Sequence, residues 1–137
     1  MGISLCLCGI RKLDIAKSRA EMRLKMKLHF YQSKAGKNLI LDYVNSLPMD
    51  EQIDGYSVLK CLEEGKLEQV RFKRWEKKIY EVYFYKHNRI FYITIDNCNM
   101  YLLHACKKQK NKTEKKDKKI VEARAKELGK LVGKSFL

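Results

Sequence analysis

The sequence predicts an α+β domain. In it a curved antiparallel sheet of four to five strands carries two helices from the N-terminal half and one helix at the C-terminus. Two observations predict this class. Apolar residues recur at helical spacing over residues 39–47 and again over 53–62. Runs of β-branched and aromatic residues then follow one another closely between residues 79 and 105, and such short links favour an antiparallel meander.

The N-terminal half of this domain is predicted to contain one strand and two helices. Apolar and polar residues alternate over residues 26–30, as they do in a strand with one buried face. The first helix is expected to end at Pro48 and the second at Gly65, because proline and glycine stop helices. Gly55 weakens the prediction of the second helix, since glycine is unfavourable inside helices. Five residues of that helix are expected to face inward: Ile53, Tyr56, Leu59, Cys61 and Leu62.

The C-terminal half is predicted to contain the remaining strands and the last helix. A basic segment at residues 70–78 precedes three strands, at 79–85, 89–95 and 100–105. The last helix is expected to begin near Thr113, a residue type that caps helix N-termini. The spacing of the residues along this helix predicts that five of them share one side: Ile120, Val121, Arg124, Leu128 and Leu131.

The first 25 residues differ from the rest of the chain. Their apolar start lacks the cationic segment and the small-residue cleavage site of a signal peptide. We expect residues 1–25 to be a dispensable N-terminal extension or a misassigned start, and residues 26–137 to form the domain. The longest apolar runs are too short to cross a bilayer, so we expect a cytoplasmic protein without a membrane partner.

The five cysteines are scattered along the chain, and their number is odd. They form no C-x-x-C motif, and Cys6-x-Cys8 lacks a second ligand pair at metal spacing. We therefore expect reduced cytoplasmic thiols and no structural metal.

Charge is the strongest functional signal in the sequence. The 137 residues carry a formal net charge of +14, and residues 107–119 hold eight lysines against two acids. Such a cation cluster at the end of a sheet favours a polyanion as partner, and nucleic acid before an anionic membrane face or an acidic protein. A DNA-binding regulator is the weaker reading, because no helix-turn-helix pattern with a basic recognition helix is visible.

Four segments resemble, in order and in spacing, the RelE/HigB toxin superfamily and in particular its phage-associated HigB-like branch. The resemblance extends from Met26 to about Leu131. The segments are Gly36-Lys37-Asn38 with Asp42-Tyr43 and Ser46-Leu47-Pro48; Ile79-Tyr80-Glu81-Val82; Arg89-Ile90-Phe91-Tyr92; and His104-Ala105-Cys106-Lys107-Lys108 with Lys112-Thr113 and Glu122-Ala123.

This resemblance implies a RelE-like compact microbial RNase fold and the toxin of a type II toxin–antitoxin system. Members are typically mRNA interferases: ribosome-dependent endonucleases that cut mRNA through 2′-hydroxyl attack, inhibit translation and arrest growth. They use no metal and no organic cofactor. Their partners are mRNA on the ribosome and a cognate antitoxin, often a helix-turn-helix protein.

The sequence departs from the family pattern at four positions. Tyr83 stands where the family has an arginine that can bind phosphate, and Cys106 stands where it has an aromatic residue. Gln109 replaces a lysine and Glu114 a proline. These departures support an alternative function, a non-catalytic basic RNA- or ribosome-binding domain derived from such a toxin.

Five residues are candidates for the chemistry. Arg89 could hold a phosphate in its planar fork, or simply pair with Glu81 across a hairpin. Lys108 and Lys112 match family positions and could hold the RNA backbone or scissile phosphate, or belong to a solvated charge run. Glu81 could be a general base or an ion-pair partner. His104 could be an acid or base, or a satisfied half-buried residue.

Six further residues are candidates for RNA binding. Tyr83 could stack on a splayed base, although most strand aromatics pack in cores. Lys107 and Lys110 crowd the neighbouring lysines, which lowers lysine pKa values toward neutrality. The basic segment before the meander could extend the surface that contacts RNA, or it could be an exposed loop. Its candidate RNA-binding residues are Arg71, Lys73 and Arg74, next to Trp75.

Overall fold

A computed structural model of the chain describes residues 25–108 and 113–137. Residues 1–24, with most of the predicted extension, and residues 109–112, with Lys110 and Lys112, lie outside the described residues. Within the described ranges the elements are β1 (Lys27–Phe30), α1 (Leu39–Asn45), α2 (Met49–Glu63), a 3₁₀ turn (Leu67–Gln69), β2 (Arg71–Glu76), β3 (Ile79–Phe84), β4 (Asn88–Thr94), β5 (Asn99–Lys107) and α3 (Lys115–Val132).

The described strands form one five-stranded sheet in the order β1-β5-β4-β3-β2. Strands β2 to β5 are the antiparallel meander, while β1 lies parallel to β5. The predicted α+β class with two N-terminal helices and a C-terminal helix is confirmed, and the architecture is consistent with a RelE-like fold. No helix in the described part of the chain is long and apolar enough to span a membrane.

The sheet is covered by helices on both faces. Helices α1 and α2 bury one apolar cluster, around Ile40, Leu62 and Leu102. Helix α3 buries a second cluster, which includes Phe91 and Val121. Side chains alternate between faces along a strand, so neighbouring residues of β4 serve different clusters.

The inward face of α2 differs from the predicted one. Ile53 and Tyr56 are 61% and 42% exposed, whereas Gly55 is buried. A Cβ atom on residue 55 would lie 2.9 Å from Phe84 and 3.1 Å from Val44. Gly55 therefore permits the close approach of α2 to the sheet, and the residues turned inward are Glu51, Gly55, Val58, Leu59 and Leu62.

Three further predictions are corrected. Six residues of the basic segment form the edge strand β2, so this segment is not a loop. The last helix begins at Lys115 after the N-cap Glu114, while the Thr113 hydroxyl instead accepts a hydrogen bond from Trp75 Nε1 at 2.8 Å. Leu131 is 80% exposed, because it lies on the outer side of α3.

Candidate phosphate-binding site

A buried carboxylate lies at the centre of the candidate site. Glu81 on β3 has no solvent exposure. Its Oε1 atom lies 3.4 Å from Lys108 Nζ, 3.6 Å from Arg89 Nε and 3.9 Å from Lys73 Nζ. Three cations thus converge on one carboxylate, which compensates for the cost of burying its charge.

Strand register explains this convergence. Lys73 on β2 lies opposite Glu81 on β3, and the neighbouring row of the same face runs from Arg71 through Tyr83 to Arg89. Residues two apart on a strand share a face, so both rows present their side chains on one side of the sheet. Lys108 follows directly after β5.

Three cationic side chains lie around the ring of the half-buried Tyr83. The guanidinium carbon of Arg89 lies 4.0 Å from the centre of the Tyr83 ring, and that of Arg71 lies 5.7 Å away. Lys73 Nζ is 5.8 Å from the same centre. Burial and then the Glu81 carboxylate raise the pKa of the Tyr83 phenol. The hydroxyl is therefore protonated at neutral pH and can donate a proton or a hydrogen bond.

We call the group of Arg71, Lys73, Glu81, Tyr83, Arg89 and Lys108 the cationic cluster. Among the described residues, two of its buried polar atoms, Glu81 Oε2 and Arg89 Nε, have no hydrogen-bond partner. Arg89 Nε nevertheless lies within ion-pair distance of Glu81. The cluster holds four cationic side chains against one carboxylate, which suits it to bind an anion.

Lys107 and Lys108 turn to opposite sides of the sheet. Lys108 is buried with Glu81, whereas Lys107 Nζ lies 3.1 Å from Oε1 of Glu51 on α2. Asn88 Nδ2 also donates to that oxygen, at 2.8 Å. The hydrogen bonds from Asn88 and Lys107 lower the pKa of Glu51. Lys107 therefore lies outside the cationic cluster.

His104 also lies outside the cluster. It is opposite Phe91 on β4, and Phe91 is in turn opposite Glu81, so a buried aromatic ring occupies the position between them. His104 Nε2 lies 2.8 Å from Asp117 Oδ1, and Arg124 Nη1 lies 3.4 Å from His104 Nδ1. Burial lowers the pKa of His104 despite the nearby carboxylate, so the ring is neutral at pH 7.

The remaining predicted residues are placed as follows. Arg74 lies opposite Tyr80 and therefore on the other face of β2 from Arg71 and Lys73. Trp75 packs edge-on against Phe91 at 5.2 Å, as part of the cluster under α3.

Sequence reasoning missed that Lys73 meets Glu81. The alternation of Arg71, Lys73 and Trp75 was the available signal, because it marks one face of a strand.

The comparisons place the chain in a family. Residues 42–126 match the model of the phage derived protein Gp49-like family (DUF891), which is more than half of the chain. The chain therefore belongs to this phage-derived family, which is associated with RelE-like toxins of toxin–antitoxin systems. The chain matches no curated protein. Membership of a toxin family implies a cognate antitoxin as partner.

Proposed function

We propose that this protein is the toxin of a type II toxin–antitoxin system, of the HigB-like branch, and that it cleaves mRNA on the ribosome. The observation that carries the proposal is the cationic cluster, in which three cations lie within 4 Å of the buried Glu81 carboxylate and Arg71 lies beside the Tyr83 ring, in a chain of a toxin family. Inhibited translation and growth arrest would follow from the cleavage.

The cationic cluster suits a cleavage reaction in which the RNA supplies its own nucleophile, the 2′-hydroxyl. The 2′-hydroxyl attacks the adjacent phosphorus, the bond to the 5′-oxygen breaks, and the products are a cyclic phosphate and a 5′-hydroxyl. One proton leaves the 2′-oxygen and one joins the 5′-oxygen. Charge accumulates on the phosphate oxygens, where Arg89 and Lys73 supply fixed cations.

Glu81 acts in this proposal as a positioning residue. Its carboxylate is fully buried and lies within 4 Å of three cations, so it cannot reach a substrate hydroxyl. It holds Arg89 and Lys108 instead, which lowers the cost of ordering them when RNA binds.

Tyr83 takes a direct role in the proposed chemistry. Its protonated phenol, half-buried beside Arg89, is proposed to donate a proton to the leaving 5′-oxygen or to stack on a base. Lys108, together with Lys112, is proposed to stabilise the charged transition state, while the 2′-hydroxyl proton passes to water.

One observation favours a second function, a non-catalytic RNA- or ribosome-binding domain. A general base must reach the 2′-hydroxyl, but Glu81, the carboxylate among the described residues of the cluster, is buried. His104 is hydrogen-bonded to Asp117 and lies outside the cluster. Such a domain would keep the affinity for RNA and lack cleavage.

The proposed antitoxin is an acidic protein, of the helix-turn-helix kind, that covers the cationic cluster. A toxin with this charge binds RNA unless an acidic partner shields it. Purification of the native protein from cells that carry the whole operon should yield a complex, and recovery of the monomer alone would contradict this partner.

Cleavage on programmed ribosomes tests the enzyme directly. A defined mRNA in translating ribosomes is incubated with the purified protein, with Arg89→Ala and with Arg74→Ala, which removes the same charge from the opposite face. We expect cleavage by the wild type and Arg74→Ala, ending in a cyclic phosphate, and loss of at least about 100-fold in Arg89→Ala. RNA binding without cleavage by the folded wild type would favour the binding domain.

A further inference from the structure

Three potential metal ligands meet between β5 and the first turn of α3. They are a ring nitrogen of His104, Sγ of Cys106 and a carboxylate oxygen of Asp117, and these atoms all lie within 4.8 Å of one another. His104 and Cys106 are two residues apart on β5 and so share a face. Asp117 comes from α3, in the first turn of the helix.

Among the described residues, no lysine or arginine forms an ion pair with Asp117. Asp117 is only 6% exposed, and its ion-pair partner within the described residues is His104. Arg124 is always charged and always a donor, so the His104 Nδ1 that faces it acts as an acceptor. The ring is therefore neutral, with its proton on Nε2 toward Asp117, and a buried anion remains beside it.

Cys106 is a free, buried thiol at the same place. It is 9% exposed, and burial, followed by the Asp117 carboxylate, raises its pKa to about 12. A thiol in this state is unreactive toward oxidants and alkylating reagents, since the thiolate is the reactive form. Cys106 belongs to the apolar cluster under α3, but that packing does not account for an imidazole and a carboxylate beside the thiol.

We propose that His104, Cys106 and Asp117 form a binding site for a zinc ion, independent of the proposed RNA cleavage. Imidazole nitrogen, thiolate sulfur and carboxylate oxygen are the ligands that zinc takes in proteins. An open depression lined by Tyr43, Glu114 and Lys116, among others, borders the three atoms. It leaves room for a fourth ligand, which is water or the carboxylate of Glu114.

Zinc binding would release one proton from the protein. Zinc displaces the thiol proton to solvent, and the thiolate and the Asp117 carboxylate together neutralise the double charge of the ion. The imidazole proton moves from Nε2 to Nδ1. Arg124 then gives up its 3.4 Å contact with Nδ1 and keeps the shorter bond, 2.8 Å, to the carbonyl of Leu103.

The bound ion would join the end of β5 to α3 close to the cationic cluster. Cys106 lies directly opposite Arg89 in the sheet, so zinc at Cys106 fixes the strand beside the proposed phosphate ligand. The cysteine spacings in the sequence predicted no metal. The proposed ligands converge only when α3 packs against β5, which is why the spacing did not show them.

Zinc binding by the full chain tests this proposal. The reduced protein is stripped with a chelator, and binding is measured by zinc titration and by the thiolate–cobalt charge-transfer absorption of Co²⁺. Cys106→Ser and Asp117→Asn each remove one ligand. The controls are Cys98→Ser, which changes an exposed cysteine, and the double variant Cys6→Ser/Cys8→Ser, which removes the other cysteine pair. Near-ultraviolet circular dichroism confirms that each variant is folded.

We expect about one equivalent of zinc per chain, and a thiolate–cobalt band that is lost in Cys106→Ser. Each ligand variant should weaken binding by more than the roughly 10- to 100-fold that loss of an outer partner costs. Both controls should bind as the wild type does. The proposal is overturned if the wild type binds no zinc, if folded Asp117→Asn keeps full affinity, or if only the Cys6/Cys8 variant loses the metal.

Discussion

The carboxylate of Glu81 lies 3.6 Å from Nε of Arg89, at a point on the sheet where Glu81 has no exposure to solvent. Arg89 Nη1 also donates to the backbone carbonyl of Asn88 at 3.2 Å. The guanidinium is therefore held on two sides before any ligand arrives. A cation fixed in this way binds phosphate without the cost of ordering a flexible side chain.

Glu81→Gln should disturb both stability and the site. The substitution leaves Arg89 and the buried Lys108 without a compensating charge. We expect the free energy of unfolding to fall by about 2 to 4 kcal/mol in urea titrations. Glu64→Gln is the matched control, because Glu64 forms a half-exposed pair with Lys66 and should cost less than about 0.5 kcal/mol. Equal stability of the two variants would contradict the role given to Glu81.

Tyr83→Phe should separate chemistry from binding. The variant keeps the ring next to Arg89 and removes only the hydroxyl, the proposed proton donor. We expect ribosome-dependent cleavage to fall by about 10²- to 10⁴-fold, while RNA affinity stays within about twofold. Tyr80→Phe changes a half-buried tyrosine on the same strand but on the other face, and should cleave normally. Unchanged cleavage by Tyr83→Phe would exclude the phenol as the donor.

Two arginines of β2 test which face of this strand is the proposed RNA-binding face. Arg71 lies on the face of the cationic cluster and Arg74 on the opposite face. Arg71→Ala should weaken single-stranded RNA binding and reduce the slope of log affinity against log salt by about 0.7. Arg74→Ala should leave both quantities near the wild-type values. Equal effects of the two substitutions would mean that RNA follows the strand edge rather than one face.

Stability should fall toward acid pH because of His104. Its pKa is lowered in the folded protein, chiefly by burial, with Arg124 and Lys116 adding to the effect and Asp117 opposing it. The unfolded chain therefore takes up the proton first as pH falls, and stability present above about pH 6.5 is lost below it. Between about pH 7.5 and pH 5 the free energy of unfolding should fall less in His104→Gln than in the wild type, both measured with chelator present.

The matched control for this measurement is His87→Gln, which changes an exposed histidine in the β3–β4 turn. This variant should follow the wild-type dependence on pH. If His104→Gln and His87→Gln change the dependence equally, the burial of His104 is not its cause.

The fold was predictable from the sequence to the extent that local patterns determined it. Pro48, Gly65 and the aromatic meander gave the order of the elements. The inward face of α2 was not predictable in this way, because Gly55 takes its place through contact with Phe84, which is distant in sequence. Periodicity treats a glycine as a weak helix position and gives no indication that a close approach requires it.

The candidate site was predictable in part. Glu81, Arg89 and Lys108 were candidates from the sequence, and the structure brings them together. Lys107 is next to Lys108 in sequence but pairs with Glu51, because adjacent residues turn to opposite faces. The partners of His104 come from α3, whose packing the sequence did not specify.

Mapping of mRNA 5′ ends in bacteria after induced expression tests the central claim most directly. The wild type, Arg89→Ala and Arg74→Ala are compared at matched protein levels. We predict growth arrest with new 5′ ends inside translated codons for the wild type and Arg74→Ala, and neither effect for Arg89→Ala. The same new 5′ ends in Arg89→Ala, or none from folded wild type, would contradict the proposal that the cationic cluster cleaves mRNA.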